Sequence, residues 1–210
     1  MEFAKWEPVY SRILEDMGFS RKEDERAALI LSRLLDHSRT ADVSVLHELI
    51  GEKNVLVCGN APCLKEELGS VDAGNHVVIA ADGAAAVVLD FGVVPDIIVT
   101  DLDGDVGKEI IANNRGSLMV VHAHGDNIDK LERYVPLLHS IVGSTQSVPL
   151  KNVYNFGGFS DGDRCVFLAK EFGAAKIILI GFDFNDEDVT PTKKKKLQWA
   201  KRLIRELLSQ

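Results

Sequence analysis

From residue 54 onward the chain runs in short apolar stretches, each closed by a turn and followed by a more amphipathic segment. The stretches are 54–59 (NVLVCG), 76–81 (HVVIAA), 96–100 (DIIVT), 117–123 (SLMVVHA), 139–145 (HSIVGST), 152–156 (NVYNF) and 176–181 (KIILIG). They are unbroken, not alternating, which is the pattern of strands covered on both faces. Helical segments fall between most of them, near 62–68, 83–91, 105–114, 126–134 and 161–172. This alternation predicts an α/β fold, a doubly wound, open and largely parallel sheet with helices on both sides. Ligands of such sheets bind at the carboxyl ends of the strands.

Ahead of this pattern, residues 3 to 50 repeat apolar positions at three- and four-residue steps. Trp6, Val9, Tyr10, Ile13, Leu14 and Met17 form one set, Ala27, Leu29 to Leu31, Leu34 and Leu35 a second, and Val45, Leu46, Leu49 and Ile50 a third. Two longer helices and one short one are predicted. The chain therefore divides into an N-terminal helical extension, 1–52, and an α/β domain, 53–210. It closes on TKKKKLQWAKRLIRELLSQ, an amphipathic helix with Leu197, Ala200, Leu203, Ile204, Leu207 and Leu208 on one side. No internal repeat or flexible linker is evident.

Composition narrows the function classes. With 210 residues, 46% of them hydrophobic, the chain can bury one substantial core. Its net charge of −8 disfavours a general nucleic-acid binder, which needs a basic face for phosphates. No apolar run reaches the length of a membrane span, and MEFAKWEPVYSRILEDMGF is too polar for the core of a signal peptide. Cys58, Cys63 and Cys165 are too few and wrongly spaced for a disulfide framework or a structural zinc site. A reducing cytoplasm is the expected setting.

The residues after each predicted strand carry the chemistry. Gly59, Asn60, Ala61 and Pro62 follow the first; Pro62 suits the first helical position, and bare amides there could hold a phosphate. Asp82-Gly83 follows the second strand, and Asp101, Asp103 and Asp105 follow the third. After the fourth come His122, His124 and Asp126, and after the sixth comes GGFSDGDR, where Ser160 or Asp161 can cap a helix. Carboxylates converging from three strand ends repel unless a cation or protons separate them. An all-oxygen set of this kind suits magnesium, which also shares phosphate oxygens with a nucleotide. Taken singly, each aspartate is more often a turn residue or a cap. His122-x-His124 could mimic a zinc pair, but no cysteine or third histidine lies near it in sequence.

Two resemblances bear on these residues. DLDG is similar to the first motif of haloacid dehalogenase-like hydrolases, whose aspartate is a nucleophile. Against that family stand two strands ahead of the motif, Asp105 after Gly104, and Phe182 inside the late acidic motif. The stretch AADGAAAVVLDFGVVPDIIVTDLDGD instead resembles the thiamin pyrophosphokinase signature, with matches at Asp82, Gly83, Pro95, Asp96, Asp101 and Asp103. Thr100 and Gly104 depart from its usual Gly and Ser. HAHGDN and NFGGFSDGDRCVFLA resemble the related archaeal 6-hydroxymethyl-7,8-dihydropterin pyrophosphokinases, which have an N-terminal helical extension and a lysine-rich C-terminal helix. The likeness spans roughly residues 50 to 205. GNAPCL departs from the Gly-x-Gly-Pro-Ser-Leu common in that group, with Ala61 and Cys63 replacing Gly and Ser.

The resemblance implies ATP and a pterin-like acceptor as partners, magnesium (Mg2+) as cofactor, and diphosphate transfer to a hydroxymethyl group with AMP leaving. Asp82, Asp101 and Asp103 are then the catalytic carboxylates, and Asp101, Asp103 and Asp126 the metal ligands. Substrate contacts fall to Gly59, Asn60, Gly83, His122, His124, Ser160, Asp161, Asp163 and Arg164. Lys193, Lys194, Lys195 and Lys196 could be a solvated helix start, but at least one of them is expected to reach the nucleotide. Four cations oppose the helix macrodipole, a cost that bound triphosphate would offset. A thiamin acceptor, a covalent phosphatase and a nucleotide-binding domain without turnover are the alternatives, and the oligomeric state, a homodimer included, stays open.

Overall fold

The computed structural model describes residues 1–35 and 39–209. The extension comprises α1 (Phe3–Met17), α2 (Arg21–Leu34) and α3 (Ser44–Ile50). The strands follow as β1 (Asn54–Cys58), β2 (Val77–Ala81), β3 (Ile97–Thr100), β4 (Leu118–Ala123), β5 (Ile141–Thr145), β6 (Val153–Tyr154) and β7 (Lys176–Ile180). The helices between and after them are α4 (Leu64–Leu68), α5 (Asp82–Asp90), α6 (Val106–Asn114), α7 (Ile128–Tyr134), α8 (Asp161–Glu171) and α9 (Pro191–Leu208).

Among the described residues the strands form one seven-stranded sheet in the order β6-β5-β4-β3-β2-β1-β7, and every pairing between them is parallel. Strands β1 to β6 are laid down in one direction. The chain then crosses back through α8 to set β7 beside β1. Because crossovers keep one hand, reversing the direction moves the connecting helix to the opposite face. The core follows this rule. Leu56, Cys58, Val78, Ala80 and Ile98 face a layer built from α2, α4, α5, α6 and α7. Val55, Val57, Ile79, Ile97 and Val99 face α3, α8 and α9. Each fully buried Leu or Ile adds about 1.5–3 kcal/mol relative to exposure.

The extension is embedded in these layers. Ala27, Ala28 and Leu31 of α2 join the first, and Trp6, Tyr10 and Ile13 of α1 pack with Phe159, Phe167 and Leu203. α9 docks through Ala200, Leu203 and Ile204, whereas Leu208 stays exposed at the end of the predicted stripe. Two strands differ from expectation. β7 is an edge strand, so Ile177 to Leu179 are only partly covered. β6 stops after two residues because the Asn155 amide turns to the carbonyls of Gln146 and Ser147, at 3.0 and 2.8 Å. Among the described residues no helix is long and apolar enough to cross a membrane.

A candidate active site at the carboxyl ends of β2, β3 and β4

Asp82 opens α5 directly after β2 and is 5% exposed. Its Oδ2 accepts the backbone N–H of Asp103 at 3.1 Å and of Gly104 at 3.2 Å, both from the turn after β3. A side chain at Gly104 would put Cβ 1.8 Å from Asp82 Oδ1, so only glycine allows this approach. Leu102 takes the left-handed conformation (φ 65°) with its N–H on the Thr100 hydroxyl at 2.8 Å. A buried leucine in that region is a strained residue held by its surroundings. The turn presents Asp101 and Asp103 to Asp82, and the three carboxylates each offer an oxygen within 4.8 Å of the others. Asp105 instead caps α6, accepting the Lys108 N–H at 3.2 Å.

Asp101 is oriented from β4. His124 Nε2 lies 3.0 Å from its Oδ2, and Asn127 Nδ2 donates to its carbonyl at 2.8 Å. Beneath the cluster sits Glu109 of α6, fully buried, with Oε2 3.1 Å from the Thr100 hydroxyl. The buried Asp82 Oδ1, Asp101 Oδ1 and Glu109 Oε1 have no hydrogen-bond partner.

So much acid in one place divides its protons unequally. Burial, and then the charges of Glu109 and Asp161, push Asp82 up to about 9. Burial would also raise Asp101, but the hydrogen bond from His124 and the proximity of Asp82 outweigh it and hold its carboxyl well below the usual range. Asp82 and Asp101 thus share a proton that resides on Asp82. Burial pushes Glu109 up to about 8. Asp161, the first residue of α8, is raised to about 6 by burial and then by the charge of Asp101.

The other residues singled out from sequence are distributed more widely. Asp126 is exposed, with its N–H on His124 Nδ1 at 3.3 Å, and lies outside the group of three formed by Asp82, Asp101 and Asp103. His122 is buried and kept neutral by burial and then by the charge of Arg164. Its Nδ1 meets the Ser144 hydroxyl at 3.1 Å, whereas His124 turns its Nε2 to Asp101. His122 Nε2 and Arg164 Nε are unpartnered, and both residues line a small cavity with Val99, Val120, Ser144 and Phe156. Arg164 also reaches Asp161 Oδ1 at 3.3 Å. Asp163 is committed to the fold, accepting the N–H groups of Phe159 and Ser160 at 2.6 and 2.7 Å in a capping box with the Ser160 hydroxyl.

The first loop is built differently from expectation. α4 begins at Leu64, so Pro62 lies in a turn, and the Ala61 N–H is taken by the Gly181 carbonyl at 2.8 Å. Five residues make a weak helix end for an anion. Gly59 packs against the Gly181 carbonyl, and the Asn60 amide occupies the space a side chain at Gly83 would need. Lys193 to Lys195 are exposed at the start of α9, Lys196 is half-buried, and Lys195 is paired with Asp16 of α1 at 3.0 Å.

Glu109 was legible only as a break in a pattern. In VGKEIIANN it shares the inward stripe with Val106, Ala112 and Asn113, where a lone glutamate is costly without a purpose.

Comparison with known proteins adds a different kind of information. Residues 32–189 match the family model described as 6-hydroxymethylpterin diphosphokinase MptE-like. Three curated proteins named 6-hydroxymethyl-7,8-dihydropterin pyrophosphokinase are similar along nearly their whole length. The Methanocaldococcus jannaschii protein is 42% identical, covering 97% of this chain and 95% of its own. The Pyrococcus furiosus protein is 43% identical with coverages of 97% and 93%, and that of Methanothermobacter thermautotrophicus 44% with 97% and 94%.

Proposed function

The chain belongs to the MptE-like 6-hydroxymethylpterin diphosphokinase family, and from that premise we propose the reaction it performs. The hydroxymethyl oxygen of 6-hydroxymethyl-7,8-dihydropterin attacks the β-phosphorus of ATP. A bond forms between that oxygen and Pβ, the bond from Pβ to the α,β-bridging oxygen breaks, and AMP departs. The names of the relatives support the pterin acceptor. The site supports the phosphoryl chemistry.

One observation carries the metal. Asp82 and Asp101 each keep a buried carboxylate oxygen without a partner, and Asp103 adds a third oxygen within 4.8 Å. Such oxygens fit a small hard cation, and we assign Asp82, Asp101 and Asp103 as the residues that would hold magnesium. When bound, magnesium would offset the negative charge of the phosphate oxygens during transfer. The chain's own residues do the remaining work. His124 holds the Asp101 carboxylate in its ionised form, Asn127 fixes the Asp101 backbone, and the amides of Asp103 and Gly104 aim Asp82. Lys130, 3.6 Å from Asp103, brings a cation to the same rim. Asp161, raised to about 6, is matched to accept the hydroxyl proton near neutral pH. Arg164, 3.3 Å from Asp161, sets a buried cation beside that carboxylate. Asn60 and Gly83, side by side at the neighbouring strand ends, face the nucleotide in this reading.

The test is product identification. Protein, ATP and magnesium are incubated with 6-hydroxymethyl-7,8-dihydropterin or with thiamin, and products are read by mass spectrometry. AMP and the pterin diphosphate are expected. Thiamin diphosphate, release of inorganic phosphate alone, or no AMP would each replace the reading with one of its alternatives.

A further inference from the structure

We propose that Asp24, in the N-terminal extension, is a positioning residue for the active site, holding the His124–Gly125 turn and, through Gln146, the guanidinium of Arg164. The consequence for turnover rests on the function proposed above; the structural part does not.

Asp24 lies in the first turn of α2, on the face that buries Ala27, Ala28 and Leu31, and is 3% exposed. A carboxylate in that position is costly unless its oxygens are satisfied. Donors from three separate parts of the chain satisfy them. Oδ2 accepts the Tyr10 hydroxyl at 2.7 Å and Gln146 Nε2 at 2.8 Å, and Oδ1 accepts the Gly125 N–H at 2.9 Å. α2 is seated directly on the turn, because a Cβ at Gly125 would lie 2.7 Å from the Glu23 Cβ.

Beyond these donors, two routes lead to the site. Gly125 follows His124, whose Nε2 meets Asp101 at 3.0 Å. Gln146 is buried, and its Oε1 accepts Arg164 Nη2 at 3.1 Å. Its backbone carbonyl is pinned by Trp6 Nε1 at 2.9 Å and Asn155 Nδ2 at 3.0 Å, so its amide can flip but not withdraw. An ionised carboxylate only accepts hydrogen bonds. Asp24 therefore dictates that Gln146 turns its NH2 toward α2 and its oxygen toward Arg164. The extension sets the polarity of a contact that ends on the site's arginine.

This polarity can be reversed without changing shape. Asp24→Asn puts an NH2 where Oδ2 was, and the Gln146 amide must flip, facing its own NH2 to the guanidinium. Adding Gln146→Glu restores an acceptor both to the new amide on α2 and to Arg164, and returns the lost charge. The Asp24→Asn protein, assayed well below its melting temperature, is expected to lose at least about tenfold in kcat, the scale for residues behind a ligand. The double variant should recover to within about threefold of wild type. A purely structural role would lower the melting temperature and leave kcat of the folded fraction unchanged.

The Arg164 Nε–H resonance gives a readout independent of turnover. Its exchange with water should be slow in the wild type, faster in Asp24→Asn and slow again in the double variant. If the wild type makes no pterin diphosphate, the proposed reaction falls and the exchange measurement alone decides on Asp24. A folded Asp24→Asn protein with wild-type exchange at Arg164 would overturn the proposal. So would an active wild type whose Asp24→Asn variant has unchanged kcat, or a double variant that recovers neither property.

Discussion

Two charged clusters dominate this chain, and they are built in opposite ways. The carboxylates after β2 and β3 are drawn inward. Asp82 is buried, Asp101 is 15% exposed, and both keep an oxygen unpartnered while backbone amides and His124 fix their directions. Lys193 to Lys195 at the start of α9 face solvent, and Lys195, 51% exposed, has already found Asp16 on α1. Desolvated like charges without partners cost stability, so a fold retains them where another charge is meant to arrive. Exposed lysines cost little and reveal little, because water and salt screen them. In this molecule the buried cluster is therefore the candidate site we put forward, and the exposed one carries no comparable signature.

The sharpest way to break the comparison is to remove a charge from the buried cluster. Asp101→Asn keeps the shape and the His124 contact, yet turnover should fall at least about a hundredfold, as when one preorganised electrostatic group is lost. No phosphoenzyme should form on the wild type with ATP labelled in its terminal phosphate. A labelled aspartate would turn Asp101 into a nucleophile and revive the covalent phosphatase.

A second, smaller effect sharpens the electrostatics. Glu109 is raised from 4.5 to about 8, so the folded protein keeps a proton that the unfolded chain releases above about 4.5. Its contribution to stability is therefore neutral near pH 4, declines as pH rises from 4.5 to 8, and levels off beyond. In metal-free buffer, Glu109→Gln should melt with the wild type near pH 4 and above it at pH 8. A difference of at least about 1 kcal/mol, or about 2–4 °C, is expected. Equal melting curves across this range would mean that Glu109 is not under strain.

The smallest effect belongs to the lysines. Single Lys→Ala changes at 193 to 196 should be silent. Changing all four should raise the KM for ATP by less than about threefold at low salt and by nothing at high salt. A larger, salt-resistant loss would place a lysine on the triphosphate after all.

Much of this arrangement is legible in the chain. The unbroken runs located every strand, and Asp82, Asp101 and Asp103 stood out because strand ends of such sheets converge. What escaped were polar residues inside apolar stripes. Asp24 and Glu109 occupy inward helix positions, where periodicity counts only hydrophobic residues, and Gln146 and Asn127 lie in loops whose partners are distant in sequence. Asp126 was given a ligand's place because it follows a strand end; it lies exposed beside His124, outside the group of Asp82, Asp101 and Asp103. Pro62 suggested a helix start, and the bond from Ala61 to Gly181, supplied by the loop after β7, moved that start to Leu64. These are tertiary effects, and apart from the break Glu109 makes in its stripe the local pattern carries no trace of them.

Direct titration of the buried cluster tests the central claim. Mn2+, a stand-in for magnesium with paramagnetic readout, is added to the metal-free wild type and to Asp101→Asn and Asp103→Asn. The wild type should bind it, and more tightly at pH 9 than at pH 6, because the proton held by Asp82 up to about 9 has to leave. Each of the two variants should bind at least about tenfold more weakly. Wild-type affinity that is unchanged by either substitution, or that falls as pH rises, would contradict a cation site at Asp82, Asp101 and Asp103.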